Sequence, residues 1–157
     1  MSEKQYGVVA PDVLVSYSGL DFLQAIVDGK LPNPPICKVL NFHLAEVGER
    51  RVAFEGTPDG SFYNPIGTVH GGLAATLLDS ALGCAIFSTL KKGEAWTTLE
   101  LKLNLVRPIT ADTGLIRAEG HLIHRGRTVA TSDGTLKDRA GKLLAHATTT
   151  CMIFPAD

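Results

Sequence analysis

The stretch from Gly71 to Leu90 is the sequence feature that most restricts the fold. Its apolar residues spread around the whole cylinder of a helix and do not form a single stripe. They are Leu73, Leu77, Leu78, Ala81, Leu82, Ala85, Ile86 and Leu90. Because a helix that is apolar on nearly every side has to be buried, we predict a central helix that begins at about Gly71 or Gly72 and ends near residues 91–93. The rest of the chain must surround it.

The segments on both sides of this helix have the alternation typical of strands. "TTLELKLNLVRPI" alternates leucines with polar residues and predicts a strand with one dry face. Two extended runs flank "VGER" between residues 39 and 56, and three more are predicted at about 113–124, 128–138 and 142–154. "SGLDFLQAIVDGK" predicts a short helix capped by Ser18. We therefore predict an α+β fold, with an antiparallel β-sheet wrapped around a long central α-helix and an additional N-terminal helix.

The chain length and charge limit the number of domains and the class of partner. With 157 residues the chain has room for one domain, which we place at residues 36–157, after an N-terminal extension over residues 1–35. The formal net charge of -1 favours neither disorder nor a nucleic-acid surface, so no nucleic-acid partner is expected. Polar residues interrupt the longest apolar stretch, so we expect a soluble protein without a membrane span.

The cysteines and histidines favour neither a disulfide framework nor a metal site. Cys37, Cys84 and Cys151 are scattered and odd in number, which fits reduced thiols in a cytoplasmic protein. The N-terminus has no secretory signal pattern. His121 and His124 are three residues apart on a predicted strand, which sends them to opposite faces, so no metal is expected.

A carboxylate, Asp79, lies inside the apolar helix. Burial of an unpaired carboxylate costs several kcal/mol, so the fold must supply partners or a use for it. At the start of the same helix, in "VHGG", the first N–H groups lack intrahelical acceptors, and Gly71 and Gly72 have no side chains to keep a ligand carbonyl away. A base and an oxyanion donor are the minimum equipment for adding water to an acyl carbon. The alternatives are a solvated or capping aspartate and glycines that only relax a tight turn.

One copy of the helix cannot bring these two groups to one substrate. Gly71 and Asp79 are eight residues apart, which is roughly 12 Å along a helix axis. A reacting carbon needs its base and its oxyanion donor each within about 3 to 3.5 Å. Two copies packed antiparallel about a twofold axis bring Gly71 of one chain opposite Asp79 of the other. We therefore predict an obligate homodimer with two shared sites.

These motifs together resemble a known family. The "HGG" motif, an acidic residue nine positions after its His, an Asn six positions before it, the "TTLELKLNLVRPI" strand and "GKLLAHATTTCMIF" resemble the hotdog-fold acyl-CoA thioesterases of the phenylacetate-degradation (PaaI-like) type. The resemblance covers residues 32–154. It implies a hotdog fold, hydrolysis of an acyl-CoA thioester to an acid and CoA, and no cofactor apart from the coenzyme A of the substrate. It also implies a tetramer.

The resemblance assigns roles to individual residues. It implies that Asp79 is the general base or the nucleophile, that the Gly71 amide is the oxyanion donor, and that Asn64 orients water or the thioester carbonyl. His70 is implied to lie beside the thioester. Thr98 falls where related enzymes carry a hydroxyl that positions the attacking water.

Each of these roles has a structural alternative. Asn64 precedes a proline and is a ready turn former. His70 could cap the loop without touching substrate. Thr98 could be strand surface, and its neighbour Thr97, which alternation sends to the opposite face, could be the residue that carries the role.

Coenzyme A carries phosphates, for which we consider the basic residues near strand turns. Arg125 and Arg127 in "HRGRT" are the best placed pair, since guanidinium binds phosphate in a bidentate fashion, although a solvated turn is the alternative. Arg107 and Lys92 are further candidates. Gly72 is grouped with these binding residues because its missing side chain lets the ligand approach the helix start.

Two other functions remain open at this stage. Hotdog domains also serve as acyl-CoA dehydratases, which are expected to use a His as an acid–base residue together with Asp. A non-catalytic acyl-CoA-binding or sensor protein could retain the fold and would need no ionised Asp79. The acyl group itself, which we expect in a pocket lined by the first helix, Phe62, Phe87 and Trp96, could be aromatic or medium-chain.

Overall fold

Four α-helices and six strands lie within residues 4–156, the part of the chain that this computed structural model describes. In chain order they are α1 (Pro11–Ser16), α2 (Gly19–Val27), α3 (Pro35–Val39), β1 (Phe42–Gly48), β2 (Arg51–Gly56), α4 (Gly71–Phe87), β3 (Glu94–Leu105), β4 (Ile116–Arg125), β5 (Val129–Asp138) and β6 (Leu143–Pro155). Residues 1–3 of the predicted extension and residue 157 of the predicted domain lie outside the described residues.

The predicted order of one short helix, two strands, a long helix and four strands is confirmed. Ser18 caps α2, as predicted, by accepting a hydrogen bond from the Asp21 amide at 3.2 Å. The sequence did not predict α1 and α3, which are short and each carry a proline in the first turn. The predicted end of α4 is wrong by about one turn, because the Ser88 hydroxyl bonds the Ala85 carbonyl and stops the helix. Gly93, at φ +80°, serves instead in the turn into β3.

The six strands form one antiparallel sheet in the order β1-β2-β4-β5-β6-β3. The sheet wraps around α4, whose apolar residues are buried, as the sequence predicts. Glycine lets the helix approach closely, since a Cβ atom at Gly120 or Gly134 would overlap α4 or the β4 backbone. The buried Ser132 hydroxyl on β5 donates to the Leu82 carbonyl of α4 at 3.0 Å. These close contacts fix the middle of the helix on strands β4 and β5.

The strand β3 lies at an edge of the sheet, and its predicted dry face is wrong for a single chain. Leu99 and Leu105 are 56% and 57% exposed, and Leu101 and Leu103 are half-buried. The strand order explains this result, because within residues 4–156 β3 pairs only with β6. A register shift at Leu99, between Thr98 and Glu100, interrupts the alternation. The inward leucines of β3 therefore lack a complete cover within one chain.

The helix α2 docks across the end of α4. The Gly19 amide donates to the Leu90 carbonyl at 2.9 Å, and Phe22 meets Phe87 edge-on at 5.5 Å between ring centroids. Phe87 in turn stacks on Trp96 of β3 at 4.0 Å. These contacts make the N-terminal extension part of the wall of a cavity described below. No helix between residues 4 and 156 has both the length and the apolar character needed to cross a membrane.

Candidate active site

The Asp79 carboxylate faces an apolar cavity of about 290 Å³ between α4, β3 and the segments of α2 and α3. Asp79 is half-buried and is the only carboxylate among the described residues that line this cavity. The Thr98 hydroxyl donates to Asp79 Oδ1 at 3.0 Å. The other lining residues are Phe22, Leu23, Ile26, Pro34, Ile36, Cys37, Phe42, Leu44, Phe54, Ser80, Gly83, Cys84, Phe87 and Trp96. The charge inside the apolar helix thus lies at the wall of a cavity and has a hydrogen-bonded partner.

The strand register decides which threonine meets Asp79. Thr98 pairs with Cys151 of β6, which is fully buried, whereas Thr97 pairs with the more exposed Met152. Thr98 therefore points toward α4 and Thr97 away from it. The structure brings Thr98 and Asp79 together and leaves Thr97 on the outer face of the sheet.

The thiols around the cavity are held in their neutral form. Burial, followed by the nearby Cys37, Asp79 and Cys151, raises the pKa of Cys84 to about 12. Burial also raises the pKa of Cys37 to about 11 and raises that of Cys151, whose Sγ donates to the Thr98 hydroxyl at 3.9 Å. Protonated thiols are poor nucleophiles near neutral pH. Among the described residues that line this cavity, the Asp79 carboxylate is therefore the group suited to acid–base or nucleophilic chemistry.

The start of α4 lies in a separate groove. His70 is the N-cap residue, and its imidazole Nδ1 accepts a hydrogen bond from the Gly72 amide at 2.9 Å. The His70 carbonyl accepts from the Leu73 amide at 3.0 Å. Within residues 4–156 no acceptor hydrogen-bonds to the Gly71 amide. Gly71 therefore offers a free N–H at the positive end of the helix, and Gly72 does not.

The two glycines at the helix start have different surroundings. A Cβ atom at Gly71 would lie 2.5 Å from Cδ1 of Leu105, the flexible end of an edge-strand side chain. A Cβ atom at Gly72 would lie 2.9 Å from the His70 ring. The Gly72 amide is thus already bonded to His70 and is not free for the binding role predicted for it.

Asn64 uses its side chain within its own loop. Its Nδ2 donates to the Thr68 hydroxyl at 2.9 Å, and its Oδ1 accepts from the amides of Ile66 and Thr68 at 3.0 and 3.3 Å. This is the turn-forming alternative that the sequence left open. The loop nevertheless places Asn64 in the same groove as His70 and Gly71.

The predicted catalytic residues fall into two groups that one chain does not join. Asp79 and Thr98 line the cavity, whereas Asn64, His70 and Gly71 line the groove. No described residue lines both. Two turns of α4, roughly 12 Å, separate Gly71 from Asp79.

The basic residues predicted for CoA differ in their availability. Arg125 bonds both carboxylate oxygens of Glu94, at 2.8 and 2.9 Å, and also the Gly126 carbonyl. Arg107 donates to the Leu143 carbonyl at 2.8 Å. Arg127 and Lys92 are exposed, and among residues 4–156 their side chains form no hydrogen bond. The sequence did not reveal Glu94 as the partner of Arg125, because 31 residues separate the two along the chain.

Two further predictions concern the pocket walls and a metal. Phe87, Trp96 and the first predicted helix, which is α2, line the cavity as expected, but Phe62 lies in a different groove with His70. His121 contacts Glu119 at 3.0 Å. The described residues contain no group of three or more His, Cys, Asp or Glu side chains suited to hold a metal ion. Gly83 was missed as a wall residue, although its position four residues after Asp79 puts both on one helix face.

A family model, a curated relative and solved structures that match this chain all point to thioesterases. Residues 66–145 match the family model described as the thioesterase superfamily. Human acyl-coenzyme A thioesterase 13 is 31% identical over 84 residues, which cover 53% of this chain and 59% of that protein. This chain thus spans about three fifths of the length of that curated relative.

Two solved structures extend the comparison over more of the chain. A phenylacetic acid degradation-related protein from Ralstonia eutropha JMP134 is 32% identical, with a TM-score of 0.75, and the match covers 83% of this chain and 98% of that chain. A Streptococcus mutans UA159 protein, solved with acetyl CoA bound, is 26% identical with a TM-score of 0.66, covering 74% of this chain and 90% of that one.

Proposed function

The chain belongs to the thioesterase superfamily, and from this premise we propose that it hydrolyses an acyl-CoA thioester to a free carboxylic acid and coenzyme A. Its sheet wrapped around α4 is the hotdog fold. The observation that carries the proposal is the pair of Asp79 and Thr98 at the wall of an apolar cavity. Such a cavity suits an acyl chain, and the carboxylate suits the activation of water or attack on the carbonyl.

The chemistry that we propose uses one oxygen of Asp79. Thr98 holds Oδ1, so Oδ2 is the oxygen left to accept a proton from water or to attack the thioester carbon. In the base route Asp79 takes a proton from water, the hydroxide adds to the thioester carbon to form an oxyanion, and its collapse breaks the C–S bond while the proton passes from Asp79 to the CoA thiolate. In the nucleophilic route Asp79 adds to the carbon and the C–S bond breaks to give an acyl anhydride on Asp79 and the CoA thiolate; water then hydrolyses the anhydride to the free acid, restores Asp79 and supplies the proton of the thiol. The Gly71 amide is the donor for the oxyanion, since it lacks an acceptor among the described residues. Asn64 and His70 border the same position.

We place the complete site between two copies of the chain. Support comes from the separation of Gly71 and Asp79 within one chain and from the apolar edge beside them. Leu99, Leu105 and Val106 are exposed along β3 and the segment after it, and the described part of the chain adds no further strand there. A second copy on this edge would cover these side chains and bring its Gly71 toward Asp79. The tetramer, the cytoplasmic location and the absence of a cofactor stay predictions.

The acyl group occupies the cavity in this proposal, and CoA lies outside it. The cavity of about 290 Å³ is at the lower end of the volumes of ligand pockets, about 300 to 1,000 Å³, and so suits a small acyl group. Aromatic and medium-chain acyl groups of that size both meet the aromatic walls. Arg127 and Lys92 are the free cations for the CoA phosphates, whereas Arg125 would first have to release Glu94.

The test is a panel of acyl-CoA esters with a thiol-detecting reagent, run on the wild type, Asp79→Asn and Asp133→Asn. Asp133 is exposed on the outer face of the sheet and is the matched control. We expect Asp79→Asn to lose at least about 10²-fold in kcat/KM, and Asp133→Asn to match the wild type. Equal rates for Asp79→Asn would contradict the mechanism. Binding without thiol release would favour the sensor, and dehydration without thiol release would favour the dehydratase.

A further inference from the structure

The Trp96 side chain brings a hydrogen-bond donor to the cavity that holds Asp79. Its indole stacks on Phe87 at 4.0 Å between ring centroids, with an angle of 13° between the two planes. This stack fixes the plane of the indole and therefore the direction of its N–H. Among residues 4–156 no acceptor hydrogen-bonds to this N–H. Trp96 thus supplies an otherwise apolar wall with an unused donor.

The unused N–H faces open space and not the packed core. No buried side-chain nitrogen or oxygen in the described part of the chain lacks a hydrogen-bond partner, so the unpartnered indole nitrogen of Trp96 must be accessible. Gly83 lines the same cavity beside it. A Cβ atom built on Gly83 would lie 3.4 Å from Trp96 Nε1, and apart from α4 itself no other described atom is within 4 Å of that Cβ position. The absence of a side chain at Gly83 therefore leaves room for a ligand atom in front of the N–H.

The cavity extends along α4 from Asp79 toward this N–H. The α4 residues that line it recur at helical spacing from Asp79 through Gly83 to Phe87. Gly83 is four residues after Asp79, which places it roughly 6 Å further along the helix axis. On β3, Thr98 contacts Asp79, and Trp96 lies two residues away on the same face, roughly 7 Å along the strand. Both separations put the indole N–H at the end of the cavity remote from the carboxylate.

We propose that Trp96 determines the acyl specificity, and that the cavity takes an acyl group with an oxygen acceptor, such as a ketone, about five bonds from the thioester carbon. This inference rests on the proposed thioesterase function and adds the class of acyl group. Because three bonds of an extended chain span about 3.8 Å, an oxygen five bonds away lies roughly 6 Å from the reacting carbon. That length matches the separation of Trp96 from the Asp79 end of the cavity.

A donor in an apolar cavity discriminates between acyl groups of the same shape. An oxygen acceptor replaces the water that the Trp96 N–H loses when the cavity fills. A methyl group in the same place removes that water and leaves the donor unpaired, which costs binding free energy. A site that hydrogen-bonds one group of a substrate rejects the analogue that lacks this group. Ser80 also lines the cavity with a hydroxyl, but it is adjacent to Asp79 and so lies at the reactive end.

The kinetic test compares 5-oxohexanoyl-CoA with 5-methylhexanoyl-CoA, which have the same shape and differ by one oxygen in place of one methyl group. We expect the wild type to have the higher kcat/KM for the oxo ester. Trp96→Phe keeps a ring beside Phe87 and removes the N–H, whereas Gly83→Ala keeps the indole and places a methyl group in front of it. In both variants the ratio of the two kcat/KM values should fall by roughly 2- to 10-fold, as expected for the loss of one neutral hydrogen bond.

Two controls separate this effect from damage to the fold. Gly83→Ala replaces a glycine inside a helix, so its melting temperature should equal or exceed that of the wild type. Thr97→Val changes the neighbouring residue of β3, which lies on the outer face of the sheet, and should keep the wild-type ratio. A ratio that is unchanged in both Trp96→Phe and Gly83→Ala would overturn the proposal.

A direct reading comes from the indole itself. The chain contains one tryptophan, so the indole N–H gives a single resonance in a proton–nitrogen NMR spectrum. With Asp79→Asn, which should bind the esters without hydrolysing them, we expect 5-oxohexanoyl-CoA to move the indole proton to higher frequency and 5-methylhexanoyl-CoA to leave it without that shift. The same shift with both esters, or no shift with either, would overturn the proposal. If the wild type hydrolyses no CoA ester, the proposed function fails, whereas the indole resonance still decides whether a bound acyl oxygen meets Trp96.

Discussion

Thr98 donates a 3.0 Å hydrogen bond to Asp79 and so joins the edge strand β3 to the central helix α4 at the wall of the cavity. The bond fixes one carboxylate oxygen and leaves the other free. It also depends on the strand register, because the neighbouring Thr97 points to the opposite face. The chemistry of the site and the pairing of the edge strand are therefore linked.

Thr98→Val should lower kcat/KM by roughly 10- to 150-fold, because a hydrogen bond to a charged group contributes about 1.5 to 3 kcal/mol. Valine keeps the shape of threonine and removes the hydroxyl. Thr97→Val is the matched control, and its rate should stay within about twofold of the wild type. Steady-state kinetics on one acyl-CoA ester checks both. A loss in Thr97→Val with none in Thr98→Val would mean that the register is wrong.

Gly71→Pro should lower kcat by about 10²- to 10³-fold, since it removes one oxyanion donor at a helix position that tolerates proline. Gly71→Ala is the control for the added bulk. Both variants push against the tip of Leu105, but only alanine keeps the N–H. Thiol-release rates of the two variants separate the amide from the side chain. Equal losses would assign the effect to the displaced Leu105.

Mixed dimers of Gly71→Pro and Asp79→Asn should regain about half of the wild-type rate. In a shared site, one of the two positions receives an intact Gly71 from one chain and an intact Asp79 from the other. Purification through two different affinity tags gives the heterodimer, and its rate is compared with those of the two homodimers. A folded heterodimer without activity would count against a site shared between subunits.

Local sequence patterns predicted the helices and strands of this fold. They could not predict the features that depend on which strands pair and on contacts between residues distant in the sequence. The alternation of leucines located β3, and the all-round apolar character of α4 predicted its burial. Alternation could not reveal the bulge at Leu99, nor that β3 pairs among the described strands only with β6 and leaves Leu99 and Leu105 exposed. Nor could spacing show that Glu94 holds Arg125 across 31 residues. These outcomes depend on the order of strands in the sheet, which no single segment encodes.

Arg51→Met should lower the free energy of unfolding at pH 7, and its difference from the wild type should become smaller at acidic pH. Burial tends to raise the pKa of Glu119, but hydrogen bonds from Arg51 at 2.7 and 3.0 Å, with nearby cations, lower it overall. This carboxylate therefore stabilises the fold above its unfolded pKa, and that contribution is lost as the pH falls through the lower folded value. Because the Arg51–Glu119 pair is partly exposed, we expect Arg51→Met to lower the free energy of unfolding by about 1 kcal/mol or less at pH 7.

Urea unfolding of the wild type and Arg51→Met at pH 7, 5 and 3 measures this difference. Arg139→Met is the control, because Arg139 is exposed and forms no ion pair with the described residues. Arg51 also pairs with Glu46, whose pKa its hydrogen bond lowers as well. A loss of unfolding free energy that is the same at all three pH values would show that Arg51 acts through packing and not through these two carboxylates.

Gly19→Ala should detach α2 from the end of α4. A Cβ atom at Gly19 would overlap the Phe87 carbonyl, which is backbone and cannot move aside, whereas one at Gly60 would meet no atom within 4 Å. We expect Gly19→Ala to cost about 3 kcal/mol or more, a fall of roughly 6 to 12 °C in melting temperature, and Gly60→Ala to stay within about 0.5 kcal/mol. Because Phe22 and Leu23 of α2 form part of the cavity wall, Gly19→Ala should also raise KM for the larger acyl groups more than for acetyl-CoA. Calorimetry and the acyl-CoA panel check the two effects, and a melting temperature equal to that of Gly60→Ala would mean that α2 does not dock on α4 through Gly19.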